Sequence, residues 1–111
     1  MIRIRQTGDV AVITFVDPAP AQPTVAHEES FHQMIARGVR KVVIDLTDAA
    51  LLPSVRIGDV ILIDKTLQNV SGEMKLCLSE PLRDVLKTTK LDKLWKIYDN
   101  LDAALKAFAA G

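Results

Sequence analysis

Short apolar stretches separated by turn-forming residues open the chain. Isoleucine and valine recur on both sides of a break at residues 6–9. This pattern predicts a strand over the first residues, a turn, and a second strand that ends near Phe15. The following residues 17–23 contain three prolines, and proline fixes φ and removes a backbone donor. The sequence therefore predicts an ordered loop there, through which no strand continues.

The central part of the chain changes from helical to strand-like patterns. Apolar residues at helical spacing predict a first helix over about residues 25–37, which Gly38 ends. Residues 41–46 are β-branched and almost continuously apolar, as is typical of a strand buried on both faces. A second helix is predicted after Pro53, although the apolar run at residues 60–63 is also compatible with a strand.

The last third of the chain predicts two more strands and two more helices. Residues 74–78 form an apolar strand, and Pro81 fits the first turn of the helix that follows. Residues 95–98 predict a short extended piece, and Asn100 caps a closing helix. The order is β-β-α-β-α-β-α-(β)-α. It predicts a single α/β domain over residues 1–111, with a mixed, largely parallel four- to five-stranded sheet and about four helices.

Charge and composition exclude several classes of partner. The 111 residues include 14 Lys and Arg against 14 Asp and Glu, so no basic field favours a nucleic-acid backbone. The apolar runs are far shorter than the roughly 20 residues that cross a bilayer, so no membrane insertion is expected. One cysteine and no pattern of a signal peptide predict a cytoplasmic protein.

Few side chains are suited to catalysis or metal binding. His27 and His32 are offset by about 140° on the predicted helix and do not share a face. Cys77 lies in an apolar strand without a basic neighbour, which favours a buried, inert thiol. The sequence contains no P-loop, dinucleotide-binding or hydrolase motif. It therefore predicts no enzyme, no catalytic residue, no metal and no cofactor.

Ser54 is the strongest candidate for a functional side chain. It follows Pro53 where the loop after the central strand becomes the second helix. Its hydroxyl should lie near free backbone N–H groups and the positive end of the helix dipole. Two compatible roles follow, a helix N-cap and a phosphoacceptor.

Four segments of the chain form a recognisable series. They read KVVIDL at residues 41–46, LLPSVRIG at 51–58, GEMKLCLS at 72–79 and TKLDKLWKIYD at 89–99. Taken in order, they resemble the STAS domain family, the sulphate-transporter and anti-sigma-factor-antagonist family. The likeness runs from about Ile2 to Phe108.

The resemblance implies a regulatory function. Members of the antagonist branch bind an anti-sigma factor, usually a serine kinase of the GHKL type, and so release a sigma factor. Phosphorylation of a serine at the start of the second helix switches that binding off, and a metal-dependent serine phosphatase restores it. The family's D-S-S-G-L-G segment matches residues 53–58, so Ser54 falls on the phosphoacceptor and Gly58 on the last glycine.

This chain departs from the family pattern at several positions. The aspartate, the second serine and the first glycine of that segment are absent, and Arg56 stands in place of the first glycine. Its long cationic side chain would block one partner or recruit an acidic one. The family's G-E-L-D signature is also missing, and Asp17 lies in that region.

The sequence thus predicts a non-enzymatic anti-sigma factor antagonist, a phosphoprotein that regulates transcription. The candidate partner-binding residues are Asp17, Pro53, Ser54, Val55, Arg56, Gly58 and Asp59. One alternative is a non-switching structural STAS subunit of a stressosome-like shell or of a lipid-transport ABC complex. Another is a small-ligand binder that uses the interior near Trp95 or the start of the second helix.

Overall fold

Five strands form one sheet in the computed structural model, which describes residues 2–16 and 19–110. They lie in chain order across the sheet, and β1 pairs antiparallel with β2 while the other pairs are parallel. The mixed, largely parallel sheet is therefore confirmed. The strands are β1 Ile2–Thr7, β2 Val10–Phe15, β3 Lys41–Leu46, β4 Glu73–Leu78 and β5 Lys96–Tyr98.

Four α-helices connect or follow these strands in the described residues. They are α1 Glu29–Ala36, α2 Ser54–Asn69, α3 Glu80–Thr88 and α4 Leu101–Ala110. The region expected to form one helix over residues 25–37 is divided, because Glu28 is extended at φ −84° and ψ 104°. It separates a 3₁₀ turn, Val25–His27, from α1.

The helix predicted after Pro53 is confirmed, and the strand interpretation of residues 60–63 is wrong. Val60, Ile63 and Leu67 recur at three- and four-residue steps and are all buried on one face of α2. A strand would instead have buried alternate residues. The three- and four-residue period therefore decides between the two structures.

Helices cover both faces of the sheet. Buried residues of α1, α2 and α3 pack with Val42 and Ile44 on one face, whereas Val43 contributes to a smaller cluster beneath α4 on the other. β3 is thus buried on both faces, as its continuous apolar character predicts. Because β2 and β3 are parallel, their carboxyl ends meet at the edge of the sheet where α2 begins.

Two of the predicted helix ends are also confirmed. Gly38 has φ +96°, a left-handed conformation that glycine adopts readily, and it follows Arg37, the C-cap of α1. The side-chain Oδ1 of Asn100 accepts a 2.8 Å hydrogen bond from the Ala103 amide and caps α4.

Candidate functional site

The start of α2 has a different cap from the one expected. Pro53, at φ −65° and ψ 155°, occupies the N-cap position, and Ser54 is the first helical residue without a capping hydrogen bond. The expectation that Ser54 is the N-cap is therefore wrong. Proline carries no side-chain acceptor, so the amides of Ser54 and Val55 have no hydrogen-bond partner within the described residues.

Arg56 is buried and not exposed. Only 3% of its surface is accessible, because its guanidinium lies over the Phe15 ring at 4.7 Å from the centroid. Its Nη2 donates a 2.8 Å hydrogen bond to the carbonyl of Val16. Arg56 thereby joins the start of α2 to the end of β2, and its head group is not free to meet a partner as the sequence suggested.

Asp59 is also internal, with no accessible surface. Its Oδ1 accepts hydrogen bonds from the backbone amides of Thr24 at 2.9 Å and Val25 at 3.0 Å. The carboxylate thus holds the end of the proline-rich loop against α2. Asp59 is therefore not part of the molecular surface, and it affects that surface only through the loop that it positions.

Gly58 provides space for the same loop. A Cβ atom built at this position would lie 3.0 Å from Cγ of Pro23, which is tighter than ordinary van der Waals contact. The glycine therefore allows the loop to pack closely on α2. Val55 is half-buried, and Asp17 lies outside the described residues.

Leu51, Pro53 and Ser54 are exposed at this end of the sheet, and we name these three residues the α2-start surface. Leu51 is 79% exposed, which is more than Leu94 at 66% and Val85 at 40%, the other large apolar side chains exposed in the described residues. Ser54 follows it closely in the chain and is also exposed. The structure thus brings an apolar contact and a modifiable hydroxyl together on a backbone held by Arg56 and Asp59.

Sequence reasoning missed the residues that anchor this region. Phe15, Val16 and Thr24 contact the two buried charged side chains of α2, Arg56 and Asp59. A signal for the burial was present in the helix itself. The buried residues of α2 share one helical face by their spacing, and they are Arg56, Asp59, Val60, Ile63 and Leu67.

A cavity of about 460 Å³ opens beside the start of α2. Apolar residues from β2, β3 and the following loop form most of its wall, and Arg56 contributes a cation. The lining includes Phe15, Leu46, Ala49, Leu51, Pro53 and Arg56.

The other candidate side chains lie away from this site. Cys77 is fully buried, as expected, and burial together with the neighbouring Asp45 carboxylate raises the pKa of its thiol to about 12. A ring nitrogen of His32 lies 2.7 Å from the carbonyl oxygen of Ala26. Across residues 2–16 and 19–110 there is no cluster of three or more potential metal ligands. No helix in these ranges is long and apolar enough to cross a membrane.

Comparisons with known proteins give relatives of one kind. The chain is 31% identical over 77 residues to a Thermotoga neapolitana protein whose name describes it as an anti-sigma factor antagonist and TM1081 homolog, and the match covers 68% of each protein. No model of a known protein family matches the chain.

Solved structures show the same relationship at the level of the fold. The NMR structure of TM1081 matches with a TM-score of 0.79 and 23% identity, over 96% of this chain and 86% of the other. The crystal structure of TM1081 from Thermotoga maritima matches with a TM-score of 0.70 and 22% identity, over 96% of this chain and 92% of the other. The crystal structure of an anti-sigma factor antagonist from Mycobacterium paratuberculosis matches with a TM-score of 0.73 and 25% identity, over 96% of this chain and 92% of the other.

Proposed function

The chain belongs to the anti-sigma factor antagonist family and has a STAS-like fold, and we propose that it binds an anti-sigma factor through the α2-start surface. In this proposal the protein has no catalytic activity of its own. It acts by occupying the anti-sigma factor, so that a sigma factor is released and transcription changes.

The exposed Leu51 carries this proposal. When a partner covers a leucine that is 79% exposed, the free energy falls because apolar surface is removed from water. The backbone around it is held in place, because Arg56 ties α2 to β2 and Asp59 ties α2 to the proline-rich loop. A surface that is ordered before binding loses less conformational entropy when the complex forms.

The exposed hydroxyl of Ser54 supports a phosphorylation switch. A phosphate on Ser54 would lie at the first position of α2, where the amides of Ser54 and Val55 have no other acceptor in the described residues. The fold would therefore accept the phosphate, whereas a partner fitted to a neutral hydroxyl would meet a charge of about −1.5 to −2. A GHKL-type serine kinase would add the phosphate, and a metal-dependent serine phosphatase would remove it.

The docking surface is tested by reversing its apolar character. Leu51→Asp should weaken binding of a purified anti-sigma factor about tenfold or more in calorimetry, since it places a charge in the contact. Leu94→Asp is the matched control, because Leu94 is 66% exposed and lies next to β5 at the other side of the sheet. Equal affinities of the two variants would place the interface elsewhere.

The switch is tested on Ser54 itself. Ser54→Asp should weaken partner binding by about 30-fold or more, because an unpaired charge in an interface typically costs about 2–5 kcal/mol. Ser54→Ala should bind as the unmodified protein does, and the cognate kinase should label the unmodified protein but not this variant. Equal binding of both variants, with no labelling, would instead favour the structural STAS subunit.

A further inference from the structure

β1 is an edge strand, and only one of its two sides is paired. Its six residues pair with β2 in one continuous register, without a bulge. No other strand of residues 2–16 and 19–110 pairs with β1, so its outer N–H and C=O groups have no sheet partner in these ranges. Proteins commonly protect such an edge with a proline, a bulge or charged side chains. β1 has neither proline nor bulge, but it carries two arginines.

The two faces of β1 differ in chemistry. Ile4 is half-buried and packs against the main hydrophobic cluster, on the face of the sheet that carries α1, α2 and α3. Because side chains alternate along a strand, Arg3 and Arg5 lie on the face that carries α4. The register agrees, since Arg5 lies opposite Val12, and Val12 lies opposite Val43 of the cluster beneath α4.

The two arginines have no acidic partner in the part of the chain that the structure describes. Both are exposed, and neither side chain forms an ion pair or a hydrogen bond with another described residue. The residues opposite them on β2, Thr14 and Val12, carry no charge. The helix on this face, α4, packs on β3, β4 and β5. The open edge of β1 is therefore accompanied by two uncompensated positive charges.

We infer that the outer edge of β1 binds an extended segment of a partner protein in which acidic and apolar residues alternate. The backbone of this segment continues the sheet by hydrogen bonding to β1. Its acidic residues lie beside Arg3 and Arg5 on one face, and its apolar residues lie beside half-buried Ile4 on the other. This interface goes beyond the proposed function, because it uses the edge of the sheet and not the α2-start surface.

The same charges disfavour a second copy of this chain at the edge. Two antiparallel β1 strands can keep their apolar faces on one side in two registers of greatest overlap. One register places Arg3 of each copy opposite Arg5 of the other, and the second places the two Arg5 side chains opposite each other. Like charges directly opposite are destabilising, and a shift by one residue moves the isoleucines to the wrong face. An acidic segment avoids both penalties.

The experiment titrates the full chain with a fluorescein-labelled synthetic peptide that alternates glutamate and valine. Fluorescence anisotropy should show saturable binding, and hydrogen exchange should slow at alternate amides of β1, because those amides then donate to the peptide. A peptide with the same composition, but with its glutamates and valines in separate blocks, should bind more weakly and protect no alternate amides.

A charge reversal tests the role of the arginines. The double variant Arg3→Glu with Arg5→Glu should weaken binding of the glutamate–valine peptide about tenfold or more and should bind a lysine–valine peptide instead. This rescue also shows that the variant is folded. Lys65→Glu with Lys87→Glu is the matched control, because both lysines are exposed, lie on α2 and α3, and give the same change in net charge. It should leave both affinities unchanged.

Several results would overturn the inference. They are absence of saturable binding, equal affinities for the alternating and block peptides, an unchanged affinity in the arginine double variant, or binding without protection of alternate β1 amides. Dimerisation of the free chain that blocks the peptide would also overturn it, since a second copy would then occupy the edge. Anti-sigma factor binding, measured without the peptide, is independent of each of these results.

Discussion

Two buried cations, one associated with each face of the sheet, are compensated in different ways. Lys75 of β4 is 4% exposed, and its ammonium lies 2.6 Å from a carboxylate oxygen of Glu73 and 4.4 Å from the centre of the Phe108 ring. Arg56 of α2 is 3% exposed, yet it contacts a carbonyl and the Phe15 ring without an ion pair in the described residues. Both side chains are inside, but of the two only Lys75 has an anionic partner among the described residues.

This difference separates a structural charge from an available one. Lys75 lies beneath α4, where aromatic rings and a carboxylate complete its environment, so it fixes that helix to the sheet. Arg56 lies beside a cavity, and its Nη1 is buried without a hydrogen-bond partner among the described residues. The α4 side of the sheet is therefore a closed structural layer, whereas the Ser54 and Val55 amides at the start of α2 have no acceptor in the described residues and can bind a phosphate.

The largest predicted loss of stability comes from a substitution on the α4 side of the sheet. Phe108→Ala should lower the free energy of unfolding by about 3–5 kcal/mol, because it removes a buried aromatic and uncovers Lys75. Urea denaturation measures this loss. Phe108→Leu is the control, since it keeps apolar volume but loses the ring that faces the ammonium, and it should cost about 1 kcal/mol. An equal cost for both variants would show that apolar volume contributes little there.

The next effect concerns the anchored side of α2. Asp59→Ala should destabilise the protein by about 2–3 kcal/mol, because the amides of Thr24 and Val25 lose their acceptor while largely buried. Asp59→Asn keeps an acceptor oxygen in the same place and should cost clearly less in the same denaturation experiment. A loss below about 1 kcal/mol for Asp59→Ala would contradict the view that this carboxylate holds the loop.

The same residues show how far sequence reasoning reaches. The alternation around Val10 and the three- and four-residue steps from Val60 to Leu67 arise from local geometry, so these elements were predicted correctly. The burial of Arg56 and Asp59 depends on partners 40 and 35 residues away in the chain, at Val16 and Thr24. The local spacing puts both residues on the apolar face of α2, but it does not reveal these distant partners, so two charged side chains were assigned to the candidate surface although the structure places them inside.

A smaller effect tests the compensation of Lys75 through pH. A hydrogen bond from Lys75, assisted by the charges of Lys75 and Lys96, holds the pKa of Glu73 below its usual 4.5. A carboxyl with a lowered folded pKa stabilises the protein above its unfolded pKa, and this stability is lost as the pH falls through the folded value.

Because the Glu73 side chain is 47% exposed, solvent screening limits the contribution to about 0.5 kcal/mol. Urea denaturation at pH 7 and pH 3 should therefore show a slightly larger loss of stability for the unmodified protein than for Glu73→Gln. Identical losses for the two proteins would show that the charge of Glu73 does not stabilise buried Lys75.

The smallest effect sharpens the distinction at the open end of α2. Because the Ser54 hydroxyl makes no capping bond, Ser54→Ala should change stability by less than about 0.5 kcal/mol. Asn100→Ala is the matched control, since Asn100 does cap α4, and it should cost about 1 kcal/mol. Ser54→Asp should add about 0.3–1 kcal/mol, because a carboxylate favours a helix N-terminus. Thermal denaturation ranks the three variants. A loss for Ser54→Ala as large as that for Asn100→Ala would mean that the Ser54 hydroxyl caps α2. One backbone amide at the start of α2 would then already have an acceptor and would not be free to bind a phosphate.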